Sequence, residues 1–301
     1  MALVFDLHCD TPVNIARGEF NHIIPENLHK DNYLGAVFAH FIKPKIKYPF
    51  LNAVQLLSST LVYVNSKKKM QITISAEQID HKKINIMLGV EGGHIFDNTF
   101  KQFEALYDLG VRVFTLTWNN SNKLAHSALE ADDKGLTKKG RQFIKRIKGY
   151  DVIIDLAHAS TKSVLDVCEI CENPVIASHS CLRVFNKTFR RNIADRAIKA
   201  IIDKKGIIGI NFSGYHLGGY SVVDHIDYLA EKFGIDTIAI GSDFDGINDP
   251  VIKGPAGIKD LEKILFNKGY KKTEIEKIFS GNFLRLFTKT SKIGSSLHPS
   301  Q

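Results

Sequence analysis

The sequence predicts a (β/α)8 TIM barrel with extra C-terminal helices, and three observations carry that expectation. Eight short apolar, β-branched runs recur along the 301 residues. Several are apolar almost throughout, which suits parallel strands buried on both faces, whereas a half-exposed antiparallel sheet would alternate. Segments with a 3.6-residue apolar period separate the runs, so strand and helix alternate without a Pro/Gly/Ser-rich linker or a shift in composition. A doubly wound open sheet is the alternative that the same alternation allows.

In chain order the expected strands are 3–7, 36–41, 84–90, 111–117, 151–156, 174–177, 206–211 and 237–241. The clearest helical segments are 52–64, 100–109, 139–147, 162–171, 195–202 and 223–233, and 261–287 supplies the additional C-terminal helices. This gives one barrel domain over 1–290 and a polar, proline-containing tail over 291–301.

Composition removes several function classes. With 44% hydrophobic and 24% charged residues the chain has the balance of an ordinary globular protein, which excludes disorder. The longest apolar runs, VIIDLA and GIIGINF, fall far short of the ~20 residues a membrane helix needs, so no membrane partner is expected. MALVFD reaches Asp6 before a signal-peptide core could form, and the expected location is cytoplasmic. The net charge of +8 comes from lysines scattered in pairs, with no basic block interleaved with aromatics, so no nucleic-acid partner is expected either. Four cysteines are too few for a disulfide framework, and Cys168 and Cys171 sit at helical spacing as small buried apolar residues.

The residues that carry chemistry lie at the C-terminal ends of the strands, the face on which barrel enzymes build their sites. Strand 1 ends in FDLHCDT, where His8 and Asp10 project to one side of an extended segment and Cys9 to the other. GVEGGH presents Glu91, DLAHAS presents His158, ASHS presents His179 and GSDFDG presents Asp243 and Asp245. Singly each signal is weak. Together they place imidazoles and carboxylates on one rim, where burying so many ionisable groups without counter-charge would cost several kcal/mol per ion. Divalent cations supply that charge, and the donor types suit zinc, with manganese, iron or cobalt as alternatives. Five ligands exceed what one open catalytic zinc uses but fit two metals bridged by a carboxylate, for which Glu91 is the natural choice.

The motifs FDLHCDT, GVEGGH, TLTWN, GLT-x-x-GR, IIDLAHAS, ASHS, RRNIAD, GINF, HIDY and GSDFDG, followed by GNFLRLF, occur in order along residues 5–287. In this the chain resembles the renal (membrane) dipeptidase family of dinuclear zinc peptidases, in a bacterial-type cytoplasmic form. The resemblance implies an amidohydrolase-type barrel that hydrolyses dipeptides, L,D-dipeptides among them, by a hydroxide bridged between two zinc ions. It makes His8 and Asp10 ligands of one zinc, Glu91 the bridge, and His158 and His179 ligands of the second. It assigns Arg191 in RRNIAD to the substrate's terminal carboxylate and Asp243 to the free amine and the proton traffic; Asp245 is the alternative for the second role. The expected partners are a dipeptide substrate and a second copy in a homodimer.

One position departs from the animal members, which carry a histidine where TLTWN has Trp118. Indole offers a single N–H donor and no positive charge, so polarisation of the scissile carbonyl should weaken there. Trp118 is accordingly expected to shape substrate binding. His126 in KLAHSA is read as a loop histidine. Two other functions compete: a different amidohydrolase activity on a lactone, an N-acyl amino acid or an ester, and a metal-bearing binding protein without catalysis. A carboxylate clamp at Arg191 has little use on a neutral lactone, and the intact ligand set favours an enzyme.

Overall fold

A computed structural model describes residues 1–130 and 132–295. Burial defines its strands. β1 (Val4–Cys9), β4 (Ile84–Glu91), β5 (Val111–Thr115), β6 (Ile153–Asp155), β7 (Val175–Ser180), β8 (Ile207–Ile210) and β9 (Ile238–Ile240) are buried at every position, and β2 (Tyr33–Phe41) at all but its last. Strands of this kind need a covering layer on each face. They pair in parallel in the order β1-β2-β4-β5-β6-β7-β8-β9. Beyond β9 the chain meets β1 through the Cys9–Phe244 bridge, with Asp243 N donating to His8 O and Asp10 N to Phe244 O. The eight strands thus form the nearly closed barrel that the sequence predicts.

The outer layer is helical: α1 (Thr11–Arg17), α2 (Pro49–Asn65), α3 (Phe100–Asp108), α4 (Lys138–Arg146), α5 (Thr161–Ile170), α6 (Asp195–Asp203), α7 (Gly214–Leu217), α8 (Val222–Phe233), α9 (Ile258–Asn267), α10 (Lys272–Glu276) and α11 (Asn282–Ser295). A separate apolar cluster fills the barrel itself, with Phe5, Val37, Met87, Ile153 and Ile176 from the strands. Phe283, Leu286 and Phe287 of α11 join that cluster, and Phe283 stacks on Phe5 at 4.2 Å between ring centroids. The last of the extra C-terminal helices, α11, therefore stoppers the end of the barrel where the strands begin, and each fully buried ring contributes roughly 1.5–3 kcal/mol.

Two β-bulges then re-aim the upper ends of the strands. On β1 the register advances from Asp6↔Ala36 to Cys9↔Phe38, one residue more on β1 than on β2. On β7 it advances from Ala177↔Ile208 to Ser180↔Ile210, again with one residue extra. Without a bulge, successive side chains alternate between faces. With it, His8 follows Leu7 to the inner side and His179 follows Ser178, so both histidines face the barrel axis.

Several details differ from the sequence expectation. β3 (Met70–Ile72), a short ninth strand, pairs beside the start of β4 at Ile84, Asn85 and Ile86, where β5 has not yet joined: β5 pairs only from Leu88 onward. Its three residues are too few to show a period. α1 and α7 are short helices with no earlier sign in the pattern. The expected tail begins inside a helix, since α11 runs on to Ser295 and Ser291 Oγ bonds to Phe287 O and Ala76 N. Residues 296–301 lie outside the described residues. No helix among the described residues is long and apolar enough to cross a membrane.

Candidate metal centre

The strand ends bring His8, Asp10, Glu91, His158, His179 and Asp243 together, all buried. His8 Nε2 lies 3.5 Å from Asp10 Oδ2 and 3.7 Å from Glu91 Oε2. The other Glu91 oxygen, Oε1, lies 3.0 Å from His158 Nε2 and 3.5 Å from His179 Nε2, and those two nitrogens face each other at 2.9 Å. Glu91 thus stands between His8 on one side and the His158–His179 pair on the other. Ligand atoms of Glu91, His158 and His179 fall within 4.8 Å of one another, and so do those of His8, Asp10 and Asp243.

The electrostatics call for a cation. Burial works against a proton on His8, yet the carboxylates of Glu91, Asp10 and Asp243 overcome it and push its pKa up to about 10. Burial raises Glu91 well above the usual carboxylate range and Asp243 up to about 7, with the His8 charge opposing both. Burial, reinforced by Arg191 and His8, keeps His158 well below the usual imidazole range, and burial, His8 and Arg191 do the same to His179. The cluster therefore collects positive charge at His8 while leaving His158 and His179 neutral, the state in which imidazole ligates. His8 Nε2 is buried without any hydrogen-bond partner, an orphan that a metal would satisfy. Gly246 keeps the approach open: a Cβ there would lie 2.1 Å from Asp10 Oδ2 and 2.6 Å from Asp243 Oδ1. The nitrogen and oxygen donors present fit divalent zinc or its neighbours.

Above these groups opens a cavity of about 360 Å³, walled by Phe41, Trp118, Asn119, His216 and Ile247 among others. The Trp118 ring sits 4.8 Å from Phe41 and 6.4 Å from His158 between centroids, so it forms an aromatic side wall. Asp243 and Asp245 both line the cavity; Asp243 is held by Asn211 Nδ2 at 2.7 Å, and Asp245 also ties loops together through Thr11 Oγ1 and the His22 backbone N–H. Arg191 reaches the cluster from its side rather than from the cavity wall. Its Nε donates to His158 Nδ1 at 2.9 Å, and its other nitrogens donate to Ser180 Oγ and His179 O. His158 Nδ1 also meets Asn119 Oδ1 at 2.8 Å, and a single ring nitrogen serves only one of these partners at a time. A metal on Nε2 requires the proton on Nδ1, which selects Asn119 and releases Arg191 Nε.

His158, Asp243 and Asp245 adopt φ of 65°, 62° and 68°, the left-handed region that costs a non-glycine residue of order 1–3 kcal/mol. Such strain concentrates at sites whose geometry the surroundings enforce. Cys9 is buried with Sγ 3.9 Å from Ser242 Oγ, and His126 pairs with Ser121 and Glu130 outside the cavity wall. Sequence reasoning passed over Phe41, Asn119, His216 and Asp155. Asn119 and Asp155 do stand inside the quoted runs TLTWN and IIDLAHAS, Asp155 as an acidic residue ending an apolar run.

A barrel with a buried imidazole–carboxylate cradle on its C-terminal rim is the framework of a metal-dependent hydrolase. The family model for membrane dipeptidases, peptidase family M19, matches residues 1–301, and the chain belongs to that family. Dipeptidase 3 of Mus musculus is 28% identical over 244 residues, covering 75% of this chain and 48% of that protein. An uncharacterised protein from the pqqA 5′ region of Klebsiella pneumoniae is 29% identical over 253 residues, 77% of this chain and 93% of its own length. The chain thus spans about half the length of the mammalian relatives it matches. Among solved structures, a metallo peptidase from Rhodobacter sphaeroides superposes with a TM-score of 0.87 at 19% identity, covering 96% of this chain and 99% of its own. The probable dipeptidase PvdM of Pseudomonas aeruginosa gives 0.85 at 21% identity, covering 97% and 96%. These likenesses establish the fold.

Proposed function

We propose that the chain is a zinc-dependent dipeptidase that hydrolyses the peptide bond of a substrate bound in the rim cavity. The observation that carries this reading is the position of Glu91, between His8 and the His158–His179 pair, with His8 Nε2 orphaned beside it. His8, Asp10 and Glu91 would hold one ion, and Glu91, His158 and His179 the other. Ions bound there supply Lewis-acid activation of the peptide carbonyl and of water. Asp243, which faces the cavity and is held by Asn211, takes and returns the proton and faces the substrate amine. Arg191, freed from His158, offers a planar fork to the terminal carboxylate. Phe41 and Trp118 bound the cavity and favour small side chains.

The Rhodobacter metallo peptidase was crystallised with a phosphinate mimic of the dipeptide L-Ala-D-Ala, which is the reason to include L,D-dipeptides in the test. Elemental analysis of protein supplied with zinc, manganese, iron and cobalt should return two metals per chain, zinc foremost. A dipeptide panel with both L,L and L,D members should then show hydrolysis that a chelator abolishes and zinc restores. Stoichiometry at or below one removes the dinuclear assignment, and inertness of the loaded protein toward the whole panel removes the dipeptidase.

A further inference from the structure

The rim holds a fully buried carboxylate, Asp155, that the proposed reaction does not use. Asp155 ends β6, two residues above Ile153 of the apolar plug, and is wholly inaccessible to solvent. Its Oδ1 accepts from Ala157 N at 3.0 Å and from Ser178 N at 2.8 Å. Its Oδ2 accepts from Thr115 Oγ1 and from Ser178 Oγ, both at 2.7 Å. Its ligand atoms come within 4.8 Å of those of His8 and His179, but four donors already occupy its two oxygens, so it is not free to ligate.

The consequence falls on Ser178. A hydroxyl has one proton, and here it goes to Asp155, so the oxygen can only accept from its other neighbours. Those neighbours are His179 Nδ1 at 2.8 Å and His8 Nδ1 at 3.4 Å. Both nitrogens must then carry protons, which leaves Nε2 as the lone-pair donor of each ring in its neutral form, for His8 the form it takes when a metal replaces its second proton. Both Nε2 atoms face Glu91, at 3.5 Å and 3.7 Å. The bulge in β7 makes the arrangement possible, because it turns Ser178 and His179 to the same side of the strand.

We infer that Asp155 and Ser178 are positioning residues: a single hydroxyl, its direction fixed by a buried carboxylate, sets the metal-binding tautomer of one histidine in each of the two ligand groups. The inference rests on the reading of the rim as a metal centre. It couples the two positions through a group that touches neither ion, whereas His158, whose Nδ1 meets Asn119, is set separately.

Asp155→Asn tests it with little change of shape. Two backbone N–H groups hold Oδ1, so the amide nitrogen must replace Oδ2 and donate to Ser178 Oγ. The hydroxyl proton is then forced toward the histidines, and His179 takes its own proton on Nε2, the wrong nitrogen for ligation. Zinc affinity, measured by competition with a chromophoric chelator, should fall about 10–100-fold at both positions. Nitrogen-15 NMR of the metal-free proteins should show the His179 proton on Nδ1 in the wild type and on Nε2 in the variant. Ser178→Ala, which removes the acceptor outright, should weaken both positions by a similar factor and stands in if Asp155→Asn does not fold. Wild-type zinc affinity in the variants, loss at one position only, or an unchanged His179 tautomer overturns the inference. If the wild type binds no zinc, the metal-centre reading fails instead, and the tautomer comparison on metal-free protein still decides the roles of Asp155 and Ser178.

Discussion

Glu91→Gln keeps the size of the side chain and removes the charge on which the rim turns. Its oxygens lie 3.7 Å from His8 Nε2 and 3.0 Å from His158 Nε2. Across about 4 Å, at an effective dielectric constant of ~20, one unit charge acting on another is worth about 4 kcal/mol. Since 1.4 kcal/mol is a factor of ten, that corresponds to roughly a thousandfold. In metal-free protein the loss should lower the pKa of His8, now pushed up to about 10 by Glu91, Asp10 and Asp243 against burial. In metal-loaded protein the same loss acts on a doubly charged ion, so it should weaken both ions by at least about a thousandfold, because Glu91 reaches both ligand groups. An NMR titration of the His8 ring measures the first effect and chelator competition with zinc the second. Retention of either ion at wild-type affinity would refute the bridging position, and a His8 titration unmoved from the wild type would refute the electrostatic account.

Three further outcomes are expected. Arg191→Ala should raise KM for free-acid dipeptides by the equivalent of ~1.5–3 kcal/mol, while C-terminally amidated dipeptides remain poor substrates of the parent; equal turnover of both forms by the parent would favour the wider amidohydrolase activities. Trp118→Ala should admit Phe-containing dipeptides that the parent turns over slowly, and Trp118→His should raise kcat on Ala- and Gly-containing ones; parallel profiles for all three proteins at equal zinc content would remove Trp118 from substrate selection. Burial holds His40 down to about 4, where its ring bonds to Gly89 O and Thr60 Oγ1. Its unfolded value is near 6.5, so the unfolded chain binds the proton first. Stability is then kept above pH ~6.5 and lost as pH falls toward ~4, by about 3 kcal/mol. The stability difference between wild type and His40→Gln, from denaturant unfolding, should change over that window, and a difference constant with pH would exclude His40 as its source.

The barrel was legible because its strands are nearly continuous apolar runs, and burial on both faces writes itself into composition. The residues that converge on the rim were legible for a related reason: a polar residue ending such a run has no solvent to meet and must meet something else. The bulges were not. Nothing in FDLHCDT or VIASHS shows that one extra residue will place His8 beside Leu7, or His179 beside Ser178, on the inner face, because a register shift is decided by the neighbouring strand. Asn119 and His216 were hidden differently. They stand on connections after the strands, and the side chain that a loop turns inward follows from its closure rather than from a period. His216, which burial and Arg191 hold down to about 4, reached the cavity wall only through the four-residue helix α7.

The two ends of the barrel carry opposite thermodynamic loads. Around Phe5, Ile153 and Phe283 the packing is apolar and complete, and the helix that closes it contributes no residue to the cavity above. The rim holds three left-handed non-glycine residues, a group of carboxylates whose burial raises Glu91 and Asp243, and an orphaned imidazole nitrogen. Each of these opposes folding in the absence of a cation, and a cation bound only by the folded chain offsets them by mass action. Stability measured with and without metal should therefore separate the ends. Phe283→Ala opens a cavity in the plug and should lower stability by ~3–5 kcal/mol in both forms alike, leaving zinc affinity unchanged. His179→Ala should do the reverse, lowering the stability of the zinc-loaded form toward that of the metal-free protein. Equal stabilisation by zinc in wild type and His179→Ala would mean that the rim does not hold the ion that stabilises the fold.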